Sequence, residues 1–170
     1  MTVDYTLDAI YEFRKFLWTR LTETKLFNID DYWSDNLNEN IIPILPVQQS
    51  PEMNQFLSGK KHIVYDKIGS SYDTNWLICN EQFLFTIYAT SFAEINELRN
   101  FMIDEFRRMD QSAADINKWA SLSNKFKFHT IYINDISPTG PSEELQGFYS
   151  TDVILEVKYS RIVDNVGRFN

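Results

Sequence analysis

The sequence is poor in cysteine, histidine, glycine and proline, and each shortage excludes a class of protein. One cysteine among 170 residues cannot form an internal disulfide, so the fold is expected not to need an oxidising compartment. The two histidines, His62 and His129, lie far apart, and no Cys or His pair has the spacing of a zinc site. Five glycines and five prolines are too few for a low-complexity chain. We therefore expect one domain spanning residues 1–170, with no metal and no cofactor.

Basic charge and long apolar runs are scarce as well. The chain has 16 Lys and Arg against 24 Asp and Glu, a net charge of −8. Such a balance disfavours a general nucleic-acid binder, because neutralising phosphates requires clustered basic residues. No apolar stretch approaches the roughly 20 residues that cross a bilayer, and the N-terminus lacks the basic region of a signal peptide. We expect no membrane association and a protein that acts in the cytoplasm.

Sequence motifs for catalysis are missing too. The chain has neither a Gly-x-Ser-x-Gly elbow nor a glycine-rich phosphate loop followed by Lys. The acidic pairs Asp30–Asp31 and Glu143–Glu144 lie in polar segments, where carboxylates are usually solvated. Cys79 ends an apolar run and is predicted to be a packing residue, and both histidines are predicted to be sheet residues at an edge or facing solvent. We expect no catalytic residue, so the protein is not predicted to be an enzyme.

Two amphipathic helices are predicted. The first runs from Thr6 to Thr22, with Thr6 as its N-cap. The second starts at Ser91, forms a capping box with Glu94 and continues to about Asp110, leaving Glu105 solvated. The predicted stripe of the first helix is Leu7, Ile10, Tyr11, Arg14, Leu17, Trp18 and Leu21, and that of the second is Ile95, Leu98, Met102, Phe106 and Met109.

Four strands are predicted from alternating apolar and polar residues: Lys61–Lys67, Glu81–Thr90, Phe126–Asn134 and Tyr149–Arg161. Residues 69–75 are polar and predict a turn, and Trp76–Cys79 is expected to extend the second strand. Aromatic residues make up 15% of the chain, which suits a well-packed core. The expected fold is an α+β two-layer sandwich: a mainly antiparallel sheet of about four strands carrying two main helices, in the order α-β-β-α-β-β.

Two segments fit neither helix nor strand and are predicted to contact other proteins. One is the long irregular stretch 28–59, and the other is the extended loop 135–147, which is too long for a tight hairpin turn. Both mix turn residues with apolar side chains, a composition suited to contacts between subunits. The candidate interface residues are Trp33, Ile41, Ile44, Leu45, Ile136, Pro138, Pro141 and Leu145.

The order of these elements resembles a known family. Ile63-Val64-Tyr65-Asp66 is followed by the strand through Thr90, which leads straight into the capped helix at Ser91, and two late strands, Phe126–Asn134 and Phe148–Arg161, are joined by an extended loop. In this arrangement, which covers most of the chain, the protein resembles the tail-terminator or tail-completion proteins of long-tailed bacteriophages. The segment 28–59 is longer than in that family.

The resemblance implies a virion protein that is assembled in the host cytoplasm. Family members form a ring, typically of six copies, that caps the tail tube and offers a surface to the head connector. The implied partners are further copies of the chain, the tail tube protein, the head-completion or connector protein and, where the tail has one, the sheath. DNA would pass through the lumen without specific binding. The alternatives are another tail, neck or baseplate component, a small-ligand-binding α+β domain, and an enzyme without a recognised motif.

Overall fold

The structure is a computed structural model and describes residues 8–72, 78–118 and 126–161. Within this part of the chain there are four α-helices: α1 (Ala9–Glu23), α2 (Pro51–Phe56), α3 (Phe92–Phe106) and α4 (Met109–Asn117). A 3₁₀ helix covers Ile29–Tyr32. The strands are β1 (Trp33–Ser34), β2 (Glu39–Asn40), β3 (Ile44–Pro46), β4 (His62–Tyr72), β5 (Ile78–Ala89), β6 (Phe126–Ile136), β7 (Gly140–Pro141) and β8 (Tyr149–Arg161).

Six strands form one mixed sheet, in the order β3-β4-β5-β8-β6, with β7 paired to the end of β8. The β3–β4 pair is parallel and the other pairs are antiparallel, while β1 and β2 form a separate hairpin. The α+β class is therefore confirmed, but the order of four strands and two helices is wrong. β3 and β7 contain only three and two residues, each with a proline, so neither shows the alternation that announces a strand.

The core lies between one face of the sheet and helices α1 and α3. Phe13 of α1 is at its centre, with ring centroids 5.6–6.4 Å from those of Phe83, Phe85, Phe106 and Phe128. Rings at these separations add edge-to-face and offset contacts to the burial of large apolar areas. Three aromatic side chains from the sheet and one from α3 thus fix the position of α1.

Helix α1 begins later than predicted. Its N-cap is Asp8, whose carboxylate accepts a hydrogen bond of 3.3 Å from the backbone N–H of Ile10. The predicted cap Thr6 and the predicted stripe residue Leu7 lie outside the described residues. An Asp side chain at this position satisfies one of the free N–H groups of the first turn, so the chain enters α1 at Asp8.

The buried stripe of α1 is rotated relative to the prediction. Phe13 and Phe16 are buried, whereas Tyr11 is 44% exposed and Trp18 is half-buried. The predicted polar member of the stripe, Arg14, stacks on the exposed ring of Tyr11 with 4.2 Å from its guanidinium carbon to the ring centroid. Ile10, Leu17 and Leu21 are buried as predicted. The rest of the predicted stripe within the described residues was wrong, because the aromatic residues of the sheet contact the side of the helix that carries Phe13.

Helix α3 begins as predicted, with Ser91 Oγ accepting a 3.2 Å hydrogen bond from the Glu94 N–H. Its predicted stripe is buried as far as Phe106, and the side chain of Met109 lies outside the described residues. The helix ends at Phe106 and α4 starts at Met109, so the single helix to Asp110 is wrong. Glu105 is not freely solvated, because it forms a 2.8 Å ion pair with Arg20 of α1.

The long strands carry the alternation that was predicted. Phe83, Phe85 and Ile87 of β5 are completely buried, as are Val153, Leu155 and Val157 of β8. Strand β8 has the predicted bounds, and β5 begins at Ile78, within the predicted extension, whereas β4 and β6 are longer than expected. The polar residues 69–72 continue β4 because they pair with residues 79–82 of β5, which supplies their backbone hydrogen bonds. Residues 73–75 of the predicted turn, with Trp76 and Leu77, lie outside the described residues.

The outer edge of β6 is covered by α4. Asn117 accepts a 2.9 Å hydrogen bond from the Phe128 N–H and donates one of 2.7 Å to the Phe128 carbonyl. One side chain thereby replaces the two hydrogen bonds that a neighbouring strand would make. A short helix was predicted near residues 115–120; α4 lies earlier in the chain, and residues 119–120 are outside the described part.

Candidate contact surface

The two residues before β4, Lys60 and Lys61, hold the segment 29–40 in place. Lys60 Nζ donates a 2.8 Å hydrogen bond to the carbonyl of Asp31, and the Tyr32 hydroxyl donates one of 2.6 Å to the carbonyl of Lys61. Tyr32 is buried against Phe27 and Trp18, with ring centroids 5.7 and 5.8 Å away. The hairpin β1–β2 therefore follows a segment that is anchored in the aromatic core.

His62, the first residue of β4, anchors the connection 137–148, which links β6 to β8 and contains β7. Its ring stacks on Tyr88 with 5.1 Å between ring centroids, and Phe148 packs edge-on at 5.7 Å. The Tyr88 hydroxyl donates a 3.0 Å hydrogen bond to Glu144. His62 was predicted to lie at a sheet edge or to face solvent, and it is buried. Burial lowers its pKa, so the ring stacks as a neutral aromatic group.

These contacts bring residues 29–40 of the first irregular segment and residues 137–147 of the second to the same end of the sheet. We call residues 29–40, 60–62 and 137–148 together the loop end. The connection 137–148 is itself well anchored: the Ser137 N–H donates to the Asp152 carbonyl at 2.8 Å, the Ser142 N–H donates to the Phe148 carbonyl at 2.8 Å, and Arg99 Nε of α3 donates to the Ser137 carbonyl at 3.3 Å. The loop end is thus a fixed surface built from segments about 100 residues apart in sequence.

The structure distributes the predicted interface residues between surface and core. Trp33, Pro138 and Pro141 are exposed, and the Trp33 indole N–H donates a 2.9 Å hydrogen bond to Asp35. Leu45, Ile136 and Leu145 are half-buried, whereas Ile41 and Ile44 are buried. Ile41 and Ile44 therefore contribute to the interior of this chain, and a contact role for the other six residues stays a prediction.

Three exposed apolar side chains near the predicted interface residues were not identified from sequence. Ile29 is 42% exposed, Leu37 is 57% exposed, and Phe92, the first residue of α3, is 53% exposed. The Phe92 ring lies 6.0 Å from that of Tyr149, whose Cα pairs with that of Pro141 in the β7–β8 ladder. The exposure of Phe92 could have been predicted from the sequence, because Phe92 directly follows the N-cap Ser91 and lies outside the buried stripe Ile95–Phe106.

The exposed charges of the loop end have one sign. All six are carboxylates: Asp30, Asp31, Asp35, Glu39, Glu143 and Glu144. The two basic residues there, Lys60 and Lys61, are half-buried, and Lys61 Nζ lies 3.9 Å from Glu94 of α3. Apolar side chains in an acidic surround match a protein surface with an apolar recess and a basic rim.

A cluster of polar side chains around Glu81 lies inside the core, and it was not predicted from the sequence. Glu81 is buried on β5, and its Oε1 accepts hydrogen bonds from the Tyr159 hydroxyl and, at 3.2 Å, from the Cys79 thiol. Burial, helped by the neighbouring carboxylate, raises the pKa of Cys79 to about 11 and also raises that of Tyr159. Cys79 is therefore a protonated packing residue near neutral pH, as expected. The burial of Glu81 could have been predicted from the sequence, because Glu81 lies two residues before Phe83 and therefore on the same face of β5.

Two clefts formed by the described residues are open to solvent. The larger, about 600 Å³, lies between α1, α3 and α4, and the smaller, about 340 Å³, lies beside the end of β3. Small-molecule sites are mostly apolar with few polar groups, and the lining of the larger cleft is instead mainly charged. Its charged residues are Arg20, Glu23, Asp104, Glu105, Arg107, Arg108, Asp115 and Lys118.

Among residues 8–72, 78–118 and 126–161, no three His, Cys, Asp or Glu side chains are grouped so that they could hold a metal ion. In the same part of the chain, no helix is long and apolar enough to cross a bilayer. Comparison of the chain with protein-family models and with curated proteins finds no match.

Proposed function

We propose that this protein is a structural assembly protein, a tail terminator that forms a ring on the end of a phage tail tube and presents a surface to the head connector. One observation carries the proposal: parts of both segments predicted to contact other proteins, residues 29–40 and 137–147, converge at the loop end. There Ile29, Trp33 and Leu37, within nine residues of one another, are each more than 40% exposed. The resemblance of element order to the tail-terminator family supplies the identity of the assembly.

Covering this surface would remove its apolar side chains from water. Burying apolar area contributes about 25 cal/mol per Å², and Trp is among the residues that contribute most to protein interfaces. Single exposed apolar residues are ordinary, but a cluster on an anchored surface is typical of contact sites. Because Lys60, Lys61 and His62 already hold the two segments, little conformational entropy is lost on binding.

A ring follows from repeating one contact until the rotation closes. Strand-to-strand contact at the outer edge of β6 does not carry the ring in this proposal, because α4 covers that edge. With a net charge of −8 per copy, the ring would present an acidic lumen that lets DNA slide without binding.

The test is to delete the gene in the phage that encodes the protein and to measure tails by negative-stain electron microscopy. A terminator predicts tail tubes that exceed the normal length and lack heads, with normal length restored by the wild-type gene in trans. Tails of normal length would contradict the proposal. A complete loss of tails would contradict it as well, because that result belongs to a component needed to start the tube.

A further inference from the structure

Residues 33–40, the hairpin β1–β2, form the most exposed apolar part of the loop end. The two short strands pair antiparallel. Asn38 closes the turn with a φ of 52°, a left-handed conformation that Asn adopts more readily than most residues. Every residue of the hairpin except Ser34 is exposed, and Leu37 in the turn is 57% exposed. The hairpin therefore presents two large apolar side chains, Trp33 and Leu37, to solvent.

The base of this hairpin is fixed to the core. Tyr32, directly before it, is 2% exposed, and its carbonyl accepts a 2.8 Å hydrogen bond from the N–H of Ile41, directly after it. Inside the turn, Ser34 Oγ accepts a 3.4 Å hydrogen bond from the Leu37 N–H. A two-stranded hairpin is at best marginally stable alone, so these anchors hold Trp33 and Leu37 in place before any contact forms.

The six exposed carboxylates of the loop end have no cationic partner among the described residues, because none of them forms an ion pair there. The two basic residues of the loop end have other partners: Lys60 Nζ donates to the carbonyl of Asp31, and Lys61 Nζ lies 3.9 Å from Glu94. The negative charge is therefore left for a binding partner. It repels the phosphates of nucleic acids and anionic lipids, and it attracts a surface rich in Lys and Arg.

A second copy of the chain does not offer such a surface in its described clefts. The larger cleft is lined by four acidic and four basic residues, and the charged residues of the smaller cleft are Asp8, Asp66 and Lys67. Neither cleft has a basic rim. Two loop ends would place six carboxylates against six, and like charges at an interface cost several kcal/mol. Charge thus selects a different protein as the occupant.

Building on the proposed function, we infer that the hairpin β1–β2 inserts Trp33 and Leu37 into an apolar recess with a basic rim on a different protein. The loop end then joins the ring to that protein, and contacts between copies use other surfaces. Trp is among the residues that contribute most when they fill such a recess, and the anchored hairpin loses little conformational entropy on binding. Ion pairs at the rim add specificity and speed docking, so the contact weakens as the salt concentration rises.

The test places the photocrosslinking amino acid p-benzoylphenylalanine at position 37 of the full-length protein, with position 33 as a second site, in cells where the encoding phage assembles. The cells are irradiated, and the joined peptides are identified by mass spectrometry. We expect both sites to join a different protein, within a peptide that contains more Lys and Arg than Asp and Glu. The control site is position 47, whose Val is 59% exposed outside the loop end, and it should not join that peptide.

Neutralising the acidic surround is the second arm. Asp30→Asn and Glu39→Gln together remove two charges while keeping the size of the side chains, and Glu52→Gln with Asp66→Asn is the matched control outside the loop end. We expect the first pair to lower the crosslinked fraction from position 37 at least about threefold, and the control pair to leave it unchanged. Far-ultraviolet circular dichroism of the purified variants checks that each is folded.

A crosslink to another copy of this chain, a crosslink to a peptide without an excess of basic residues, or no crosslink from either site would each overturn the inference. Equal crosslinked fractions in the two neutralised pairs would overturn it as well. Overlong tails in the deletion phage together with any of these results would leave the terminator function standing and refute only this contact. Tails of normal length together with the expected crosslink would refute the terminator function and leave the contact standing.

Discussion

At the scale of single residues, the most unusual group is the buried carboxylate of Glu81. Its Oε1 is hydrogen-bonded to Tyr159 and Cys79, while its Oε2 accepts no hydrogen bond from the described residues and lies 4.0 Å from Lys67 Nζ. A carboxylate in this environment depends strongly on its donors, because each lost donor leaves a buried acceptor without a partner. Glu81 therefore links β4, β5 and β8 only while the Tyr159 hydroxyl is present.

Replacing Tyr159 by Phe tests this dependence. The substitution keeps the ring contacts with Phe126 and Phe128 but removes the donor to Glu81. We expect the free energy of unfolding to fall by about 1–3 kcal/mol, measured by urea denaturation. Tyr132→Phe is the matched control, because Tyr132 is half-buried on the other face of the sheet. Equal stability of the two variants would show that the Glu81 cluster contributes nothing measurable.

His62 gives the fold a pH dependence of defined sign. Burial lowers its pKa, so the folded chain holds the neutral ring, whereas the unfolded chain binds a proton with a pKa of about 6.5. The contribution to stability is present above pH 6.5 and is lost as the pH falls below it. We expect the free energy of unfolding to decrease between about pH 7 and pH 5 in the wild type, and to decrease less in His62→Phe, which keeps an aromatic ring. Parallel curves for the two proteins would refute this assignment, because His129 is common to both.

At the scale of elements, α4 protects a strand edge that would otherwise be open to pairing with other chains. Asn117 ends the helix and satisfies both backbone groups of Phe128. A short helix was predicted in this region from local spacing, whereas the contact with Phe128 was not, because a single Asn side chain has no periodicity. Edge protection of this kind limits strand pairing between molecules and leaves docking to other surfaces.

Replacing Asn117 by Ala should expose this edge. We expect a loss of about 1–3 kcal/mol in the free energy of unfolding, with faster hydrogen exchange at the Phe128 amide. Asn100→Ala, at an exposed position of α3, is the control and should leave both quantities unchanged. If the Phe128 amide exchanged at the same rate in both variants, α4 would not be the group that protects it.

At the scale of the whole molecule, the loop end combines segments that are separated along the chain and places apolar side chains in an acidic surround. Trp33 and Leu37 are exposed, so they contribute little to the stability of the isolated chain. Under the proposed function their contribution appears only in the assembly. This difference between stability and assembly can be measured in one variant.

The double variant Trp33→Ala and Leu37→Ala should fold normally but fail to terminate tails. We expect the free energy of unfolding to change by less than about 0.5 kcal/mol, and phage carrying the variant to produce overlong tails. Val47→Ala, at an apolar residue that is 59% exposed outside the loop end, is the control and should give normal tails. Normal tails from the double variant would remove these residues from the contact surface.

The sequence by itself determined the elements with a clear period. The cap at Ser91, the stripe from Ile95 to Phe106 and the bounds of β8 all follow from local spacing, because alternation and helical periodicity record which face is buried. The α+β class follows from the order of those elements. Local spacing did not reveal the short elements inside 28–59 and 135–147, which were predicted to be irregular and contain β1, β2, β3, α2 and β7. Their contact role stays a prediction.

Only the tertiary structure decided which of several locally equivalent patterns is used. Phe13 selects the buried stripe of α1 through the aromatic residues of β5 and β6, and β3 exists because β4 supplies its hydrogen bonds. Contacts with residues 60–62 bring together the segments 29–40 and 137–148, which no local pattern connects. The tertiary structure also decides that Ile44 is buried and Trp33 is exposed. The physical reason is that burial and hydrogen bonding depend on partners distant in sequence, which periodicity does not record.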